Sequence, residues 1–315
     1  GRALVNLLPE LGSDAVTTVL PLPQDESLWD SLHLVFATAS GSVRRNRLSD
    51  FRHVRAAGLI AMKLDADTHE GGDRLIGVAT CHEGDDMLLA TRRGRCIRFQ
   101  ITDDTLRVFA GRDSSGVRGI RLGNTDEVVS MSVLRHMDAT TEERAAYLRL
   151  AAGRRRSNGN GDEIDPEVPP EPEEVVPEVT LTDDRANELE AAEELLLTVT
   201  SGGFGKRSSA YEYRVTGRGG QGIANVLLNK RNGGAVVASF PARQGDDLML
   251  VTDGGRLIRV PADQVRITGR QAMGVMLFRL STGEQVSSVF PVIEDAGDED
   301  GPDEEQPAPT DDSDA

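Results

Sequence analysis

Apolar and polar positions along this chain recur in one unit: an apolar or β-branched run, a Thr-x-x-Gly turn, and a second run that carries arginine. The unit is read at Leu34-Val-Phe-Ala-Thr-Ala-Ser-Gly-Ser-Val-Arg-Arg45, Met87-Leu-Leu-Ala-Thr-Arg-Arg-Gly-Arg-Cys-Ile-Arg-Phe99, Leu196-Leu-Thr-Val-Thr-Ser-Gly-Gly-Phe-Gly-Lys-Arg207 and Leu248-Met-Leu-Val-Thr-Asp-Gly-Gly-Arg-Leu-Ile-Arg-Val260, and these stretches align on the turn without gaps. Each predicts a β-hairpin, because glycine takes the positive φ that such a tight turn demands. The turn glycines are Gly41, Gly94, Gly203 and Gly255. Four residues beyond each stands an arginine, Arg45, Arg98, Arg207 or Arg259, so blades built on these hairpins are expected to carry a ring of cations.

A second pattern sets the period. Gly1, Gly58, Gly116, Gly222 and Gly274 each lead an apolar stretch, with Val5, Met62, Ile120, Val226 or Phe278 four places on and Leu7, Leu64, Leu122, Leu228 or Leu280 six places on. A further β-branched run follows each, from Ala15, Leu75, Val128, Val236 or Val286, and then comes the next hairpin. The leading glycines are 57, 58, 106 and 52 residues apart, a repeat of four short strands that fits a propeller blade. The long interval holds an insertion. The reading divides the chain into blades over 1–137, an acidic insertion over 138–194, further blades over 195–293 and a tail over 294–315, with about five blades in all.

Helix signals bound the insertion. Thr140-Thr-Glu-Glu143 reads as a capping box ahead of Arg-Ala-Ala-Tyr-Leu-Arg-Leu, and Thr182 as the cap of a second helix. Between them, Arg154-Arg-Arg-Ser-Asn-Gly-Asn-Gly161 and the Pro/Glu run up to Pro177 read as a flexible linker. The tail from Glu294, rich in acids and without aromatics, is expected to be disordered.

Charge changes the picture because it is segregated. The chain carries a formal net charge of −17, but 17 acids against 6 arginines lie between Asp138 and Glu194 and 11 acids with no base lie from Glu294 onward, which leaves a repeat body near +5. The exposed tail is expected to compete with any polyanion for that body. Two cysteines, Cys81 and Cys96, form no C-x-x-C pair and predict reduced thiols in a cytoplasmic protein. No apolar run is long enough for a membrane helix.

Chemical motifs fail on context. Gly217-Arg-Gly-Gly-Gln-Gly222 satisfies G-x-G-x-x-G, but a short strand follows it rather than the long helix a dinucleotide site needs. Gly202-Gly-Phe-Gly-Lys-Arg207 lacks the first glycine and the final hydroxyl of a phosphate loop. Asp85-Asp86 and Asp246-Asp247 recur at matching places before hairpins and read as turn formers rather than metal ligands. The histidines are scattered and no tyrosine has a readable activator, so no catalytic or metal constellation is found. What remains is basic: Arg44, Arg45, Arg47, Arg92, Arg93, Arg95, Arg98, Lys206, Arg207, Arg218, Lys230, Arg231, Arg256 and Arg259, mostly on or beside the turns. Cations at regular intervals along a rim suit a duplex phosphate backbone, and an aromatic content of 4% argues against base stacking. A propeller that meets an acidic protein partner is the alternative from another class.

Gly1-Arg-Ala-Leu-Val-Asn-Leu-Leu-Pro9, Ser115-Gly-Val-Arg-Gly-Ile-Arg-Leu122 and the four hairpins resemble the family of DNA gyrase A C-terminal domains, from Gly1 to about Val292 apart from the insertion. The resemblance implies an all-β fold, a β-pinwheel whose blades exchange strands and whose basic rim wraps duplex DNA. It implies a place in an ATP-dependent type II topoisomerase that introduces negative supercoils, with the remainder of the gyrase A protein and with the gyrase B protein in a two-plus-two assembly, in the cytoplasm and on the chromosome. ATP and Mg²⁺ would be used elsewhere in that assembly, and this piece is expected to hold no cofactor. The family's Gln-Arg-Arg-Gly-Gly-Lys-Gly type box is not in the chain and is expected upstream of Gly1; Gly217–Gly222 looks like a degenerate echo of it. The similar C-terminal domain of topoisomerase IV, which shares the blades and usually lacks the box, is a second reading. The repeat from Gly274 has no hairpin of its own, so an open ring with exposed strand edges is expected.

Overall fold

The computed structural model describes residues 16–54, 58–66, 72–157, 177 and 179–292. Fifteen strands run in chain order: β1 His33–Thr38, β2 Ser42–Arg47, β3 Leu75–Cys81, β4 Asp86–Thr91, β5 Arg95–Gln100, β6 Val117–Arg118, β7 Val128–Leu134, β8 Leu195–Thr200, β9 Phe204–Ser209, β10 Ile223–Ala224, β11 Val236–Pro241, β12 Asp247–Thr252, β13 Leu257–Pro261, β14 Val275–Met276 and β15 Val286–Val292. The hairpins are β1–β2, β4–β5, β8–β9 and β12–β13, all antiparallel. At each turn the glycine amide donates to the threonine carbonyl three residues back, at 2.9–3.0 Å, with φ of +84°, +77°, +77° and +80°. The G-x-G-x-x-G stretch leads into the two-residue strand β10, and Gly202–Arg207 is a hairpin turn and strand, not a nucleotide loop.

These hairpins organise four small sheets, ordered β3-β1-β2-β6, β10-β5-β4-β7, β11-β8-β9-β14 and β13-β12-β15. The pairing is interleaved. A hairpin's first strand pairs with the next long strand in its own sheet, but its second strand receives a two-residue strand that follows the next hairpin in sequence. Thus β6 comes after β5 yet pairs with β2, β10 after β9 yet pairs with β5, and β14 after β13 yet pairs with β9. Leading glycines make this possible. A Cβ at Gly116 would lie 2.3 Å from the Val43 carbonyl oxygen, and one at Gly222 2.2 Å from that of Cys96. Three residues on, the amides of Gly119, Asn225 and Leu277 donate to the turn carbonyls of Gly41, Gly94 and Gly203.

Strands β3, β7, β11 and β15 pack on one another in that order, which places them towards the shared centre and puts β2, β5 and β9, with their donated strands, at the outer edge. The largest core joins the first two sheets through Val35, Val43, Met87, Leu89, Ile97 and Phe99; a second joins the last two through Leu197, Val199, Leu248 and Leu250.

The described blades number four rather than about five. A leading-glycine strand completes the blade before its own instead of founding a new one, and the Gly1 copy lies outside the described residues. The Gly58 copy keeps the same positive φ, +79°, but has nothing within 4 Å of its Cβ position, because no earlier hairpin is described for it to join. The fourth blade shows the converse. No strand among the described residues pairs with the outer side of β13, and Leu257 is 60% exposed where its counterpart Val43 is fully buried.

Two helices, Thr141–Ser157 and Asp183–Ala192, fill the ends of the insertion. The capping box forms, with the Glu143 amide donating to Thr140 Oγ1 at 3.2 Å and the Thr140 amide to Glu143 Oε2 at 2.9 Å, and Thr182 Oγ1 accepts from the Arg185 amide. Both helices are seated on the third blade through an edge-on Tyr147–Tyr211 pair 5.4 Å apart and a Tyr211 hydroxyl bond to the Leu189 carbonyl. The expected central linker begins too early: Arg154–Ser157 form the last turn of the first helix, where the basic residues suit a helix C-terminus. Apart from Pro177, the rest of the expected linker, with the whole expected acidic tail, lies outside the described residues. No described helix is long and apolar enough to cross a membrane.

Candidate nucleic-acid interface

The expected ring of Arg45, Arg98, Arg207 and Arg259 does not form on the surface. Side-chain exposures are 0%, 5%, 8% and 54% respectively. The three buried guanidiniums each reach into the repeat that follows. Arg45 bonds the Leu106 carbonyl at 3.3 Å and pairs with Glu83 and Asp103. Arg98 bonds the Ala210 carbonyl at 2.7 Å and pairs with Asp86. Arg207 bonds the Val265 carbonyl at 2.8 Å and pairs with Asp263. They are staples between blades. A buried cation is tolerated only where carboxylates and carbonyls replace its water, which is what each seam supplies. Arg259, in the last blade with no following repeat described, is the one left exposed, paired with Asp247.

Arg44 and Lys206 are corrected in the same way. Arg44 is buried, donating to Asn46 Oδ1 and to Ser114, with its guanidinium 4.8 Å from the Phe109 ring centre. The Lys206 ammonium is enclosed by Ser208 Oγ and the carbonyls of Asn225, Gly269 and Arg270. Burial pushes its pKa down to about 7, against a raising influence from Glu212. The reason is common to all five residues. The interior positions of β2, β5 and β9 are buried, covered along the outer edge by the next repeat, so on β2 and β5 only the end residues Arg47 and Arg95 carry a charge into solvent.

The other candidates are exposed: Arg47, Arg92, Arg93, Arg95, Arg218, Lys230, Arg231 and Arg256. Several are held in place. Arg92 pairs with Glu127 at 2.5 Å, and Arg93 donates to Thr125 Oγ1. Arg95 spans the carbonyls of Gln221 and Gly222 at 2.8 and 2.7 Å. Arg218 bonds the Arg118 and Thr105 carbonyls, and Arg231 lies over the Phe204 ring at 5.8 Å. Arg256 pairs with Glu284, whose carboxyl is held down at about 2 by the Thr252 hydroxyl, the Ser281 amide and Arg256 itself. Asp85 and Asp246 accept from the amides of His82 and Arg243, each at 2.7 Å, as turn formers do. Asp86 and Asp247, expected as turn formers too, instead open strands β4 and β12 and pair with Arg98 and Arg259. Among the described residues no three His, Cys, Asp or Glu side chains converge as a metal site.

Sequence reasoning missed further exposed cations, among them Arg107, Arg118, Arg121, Arg214, Arg266 and Arg279. A signal was present in Leu106-Arg-Val-Phe109, Tyr213-Arg-Val-Thr216 and Val265-Arg-Ile-Thr268, but these stretches stand 10, 9 and 9 residues before their leading glycines, and the slip hid the repeat.

Interleaved blades with a basic outer edge define a class of strand-exchanging propellers. The family model for the DNA gyrase C-terminal domain, a β-propeller, matches residues 32–82, 85–135, 194–243 and 246–293. The chain belongs to that family. It is 68% identical over 313 residues to the DNA gyrase A protein of Granulibacter bethesdensis, covering 98% of this chain and 33% of that one. To the DNA gyrase A protein of Rickettsia bellii it is 44% identical, covering 95% and 31%. The chain therefore spans about a third of the length of these relatives. The fold is shared with a solved C-terminal domain of DNA topoisomerase IV, at a TM-score of 0.65 and 17% identity over 93% of this chain and 70% of that one. A solved DNA gyrase A C-terminal domain gives 0.58 and 19% over 90% and 77%.

Proposed function

We propose that this chain binds duplex DNA by its phosphates and bends it around the outer edge of the blades, as the wrapping part of a gyrase A protein. The observation that carries this reading is the separation of charge. Cations on the turns and outer edge of successive blades are exposed, while the acids that set the net charge of −17 lie mostly in the insertion and the tail. A wrap needs many such contacts, since bending 20 to 30 base pairs through 40 to 90° costs on the order of 1–6 kcal/mol. In the assembled enzyme, with the remainder of gyrase A and with gyrase B, the wrap presents one duplex segment to another with a fixed hand. Strand passage driven by ATP with Mg²⁺, both held outside this chain, then introduces negative supercoils. Such an enzyme works in the cytoplasm on the chromosome.

Filter binding of duplex DNA at two salt concentrations tests the reading. Binding that weakens steeply with salt and is indifferent to sequence is expected. Weak binding without that dependence would favour a surface for an acidic protein.

A further inference from the structure

We infer that Arg107, Arg214 and Arg266 are the recurring phosphate contacts of the outer edge, one guanidinium at each blade seam. The inference rests on the DNA-binding reading above and names the residues that carry it. Each arginine is the second residue of the missed four-residue stretch. In each stretch the first residue, Leu106, Tyr213 or Val265, is fully buried. The amide of the fourth, Phe109, Thr216 or Thr268, donates at 2.8 Å to the carbonyl of the preceding blade's stapling arginine, Arg45, Arg98 or Arg207. In two seams the third residue also bridges that same arginine in parallel, Val215 to Arg98 and Ile267 to Arg207. The backbone is thus fixed on both sides of the arginine, and alternation along an extended segment turns its side chain away from the buried neighbour. All three arginines are exposed.

Their location is what a phosphate contact needs. The stretch lies beside β2, β5 or β9 on the side away from the inner strands, so it shares the outer edge with the donated strand. One cation therefore stands at the same place in three successive seams, on backbone locked by interblade hydrogen bonds. A cation repeated at each seam along the outer edge suits a duplex backbone that presents phosphates to successive blades. A fourth copy, Phe51-Arg52-His53-Val54, serves as an internal contrast. It has no preceding hairpin among the described residues, and Val54 is exposed. Among the described residues no seam holds this stretch, and Arg52 is excluded from the set.

The test measures duplex affinity of the 315-residue chain across a range of salt, for wild type, R107Q/R214Q/R266Q, the corresponding triple lysine variant, and R52Q. Each lost phosphate contact lowers the slope of log K against log salt by about 0.9. The triple glutamine variant is expected to lose about 2.7 of slope, the lysine variant to keep it, and R52Q to match wild type. Single glutamine variants, each losing about 0.9, keep the test readable if the triple variant loses its fold. Steep wild-type binding with an unchanged slope in the glutamine variants overturns this assignment and leaves DNA binding standing. A wild-type chain without salt-dependent duplex binding overturns the DNA-binding reading itself.

Discussion

Arg98 and Asp86 form an ion pair inside the second blade, Nη2 to Oδ2 at 2.7 Å, with side chains 5% and 0% exposed. The other carboxylate oxygen of Asp86 meets His136 Nδ1 at 2.9 Å. The same pair recurs in the last blade as Arg259 and Asp247, but there Arg259 is 54% exposed. The chain thus contains one interaction in two solvents. Asp86→Ala should cost about 3–5 kcal/mol, because it leaves a buried guanidinium without its counter-charge. Asp247→Ala should cost about 0–1 kcal/mol. Urea unfolding of the two variants compares them directly, and equal losses would refute the stapling role of Arg98.

Strand exchange makes an equally sharp contrast among glycines. Gly116, Gly222 and Gly58 all have positive φ, so alanine at any of them meets backbone strain of about 1–3 kcal/mol. At Gly116 and Gly222 the new methyl would also collide with a carbonyl, whereas at Gly58 it meets nothing. Gly116→Ala and Gly222→Ala should therefore destabilise well beyond Gly58→Ala in thermal or urea unfolding.

Lys206 predicts a pH dependence. Its folded pKa of about 7 is below the ordinary lysine value of 10.5, so between these values the unfolded chain binds the extra proton. Stability then rises with pH across that window, by up to about 1.4 kcal/mol per pH unit from this group. Below pH 7 both states are protonated and the contribution is flat. Lys206→Met should remove the rise. Urea midpoints of wild type and variant between about pH 6.5 and 9.5 should diverge with pH, and parallel curves would contradict a depressed Lys206.

Much of the fold was legible because its determinants are local. The Thr-x-x-Gly turns, the leading glycines and the Thr140 and Thr182 caps each depend on residues within a few positions of one another. The fate of Arg45, Arg98 and Arg207 was not legible. Their carbonyl partners Leu106, Ala210 and Val265 lie 61, 112 and 58 residues away, and only the interleaving of blades brings them together. Periodicity placed those arginines correctly in each repeat but does not say whether a recurring charge faces water or a seam. Arg107, Arg214 and Arg266 were hidden for a related reason: a turn of variable length precedes them, and their equivalence is defined by hydrogen bonds to another blade.

Wrapping itself is tested by topology. Relaxed closed-circular DNA bound by this chain, treated with a nicking-closing topoisomerase and then stripped of protein, should retain a change in linking number of one sign that grows with the amount bound. Relaxed DNA recovered with an unaltered linking number, under conditions where filter binding shows the duplex is occupied, would contradict the account.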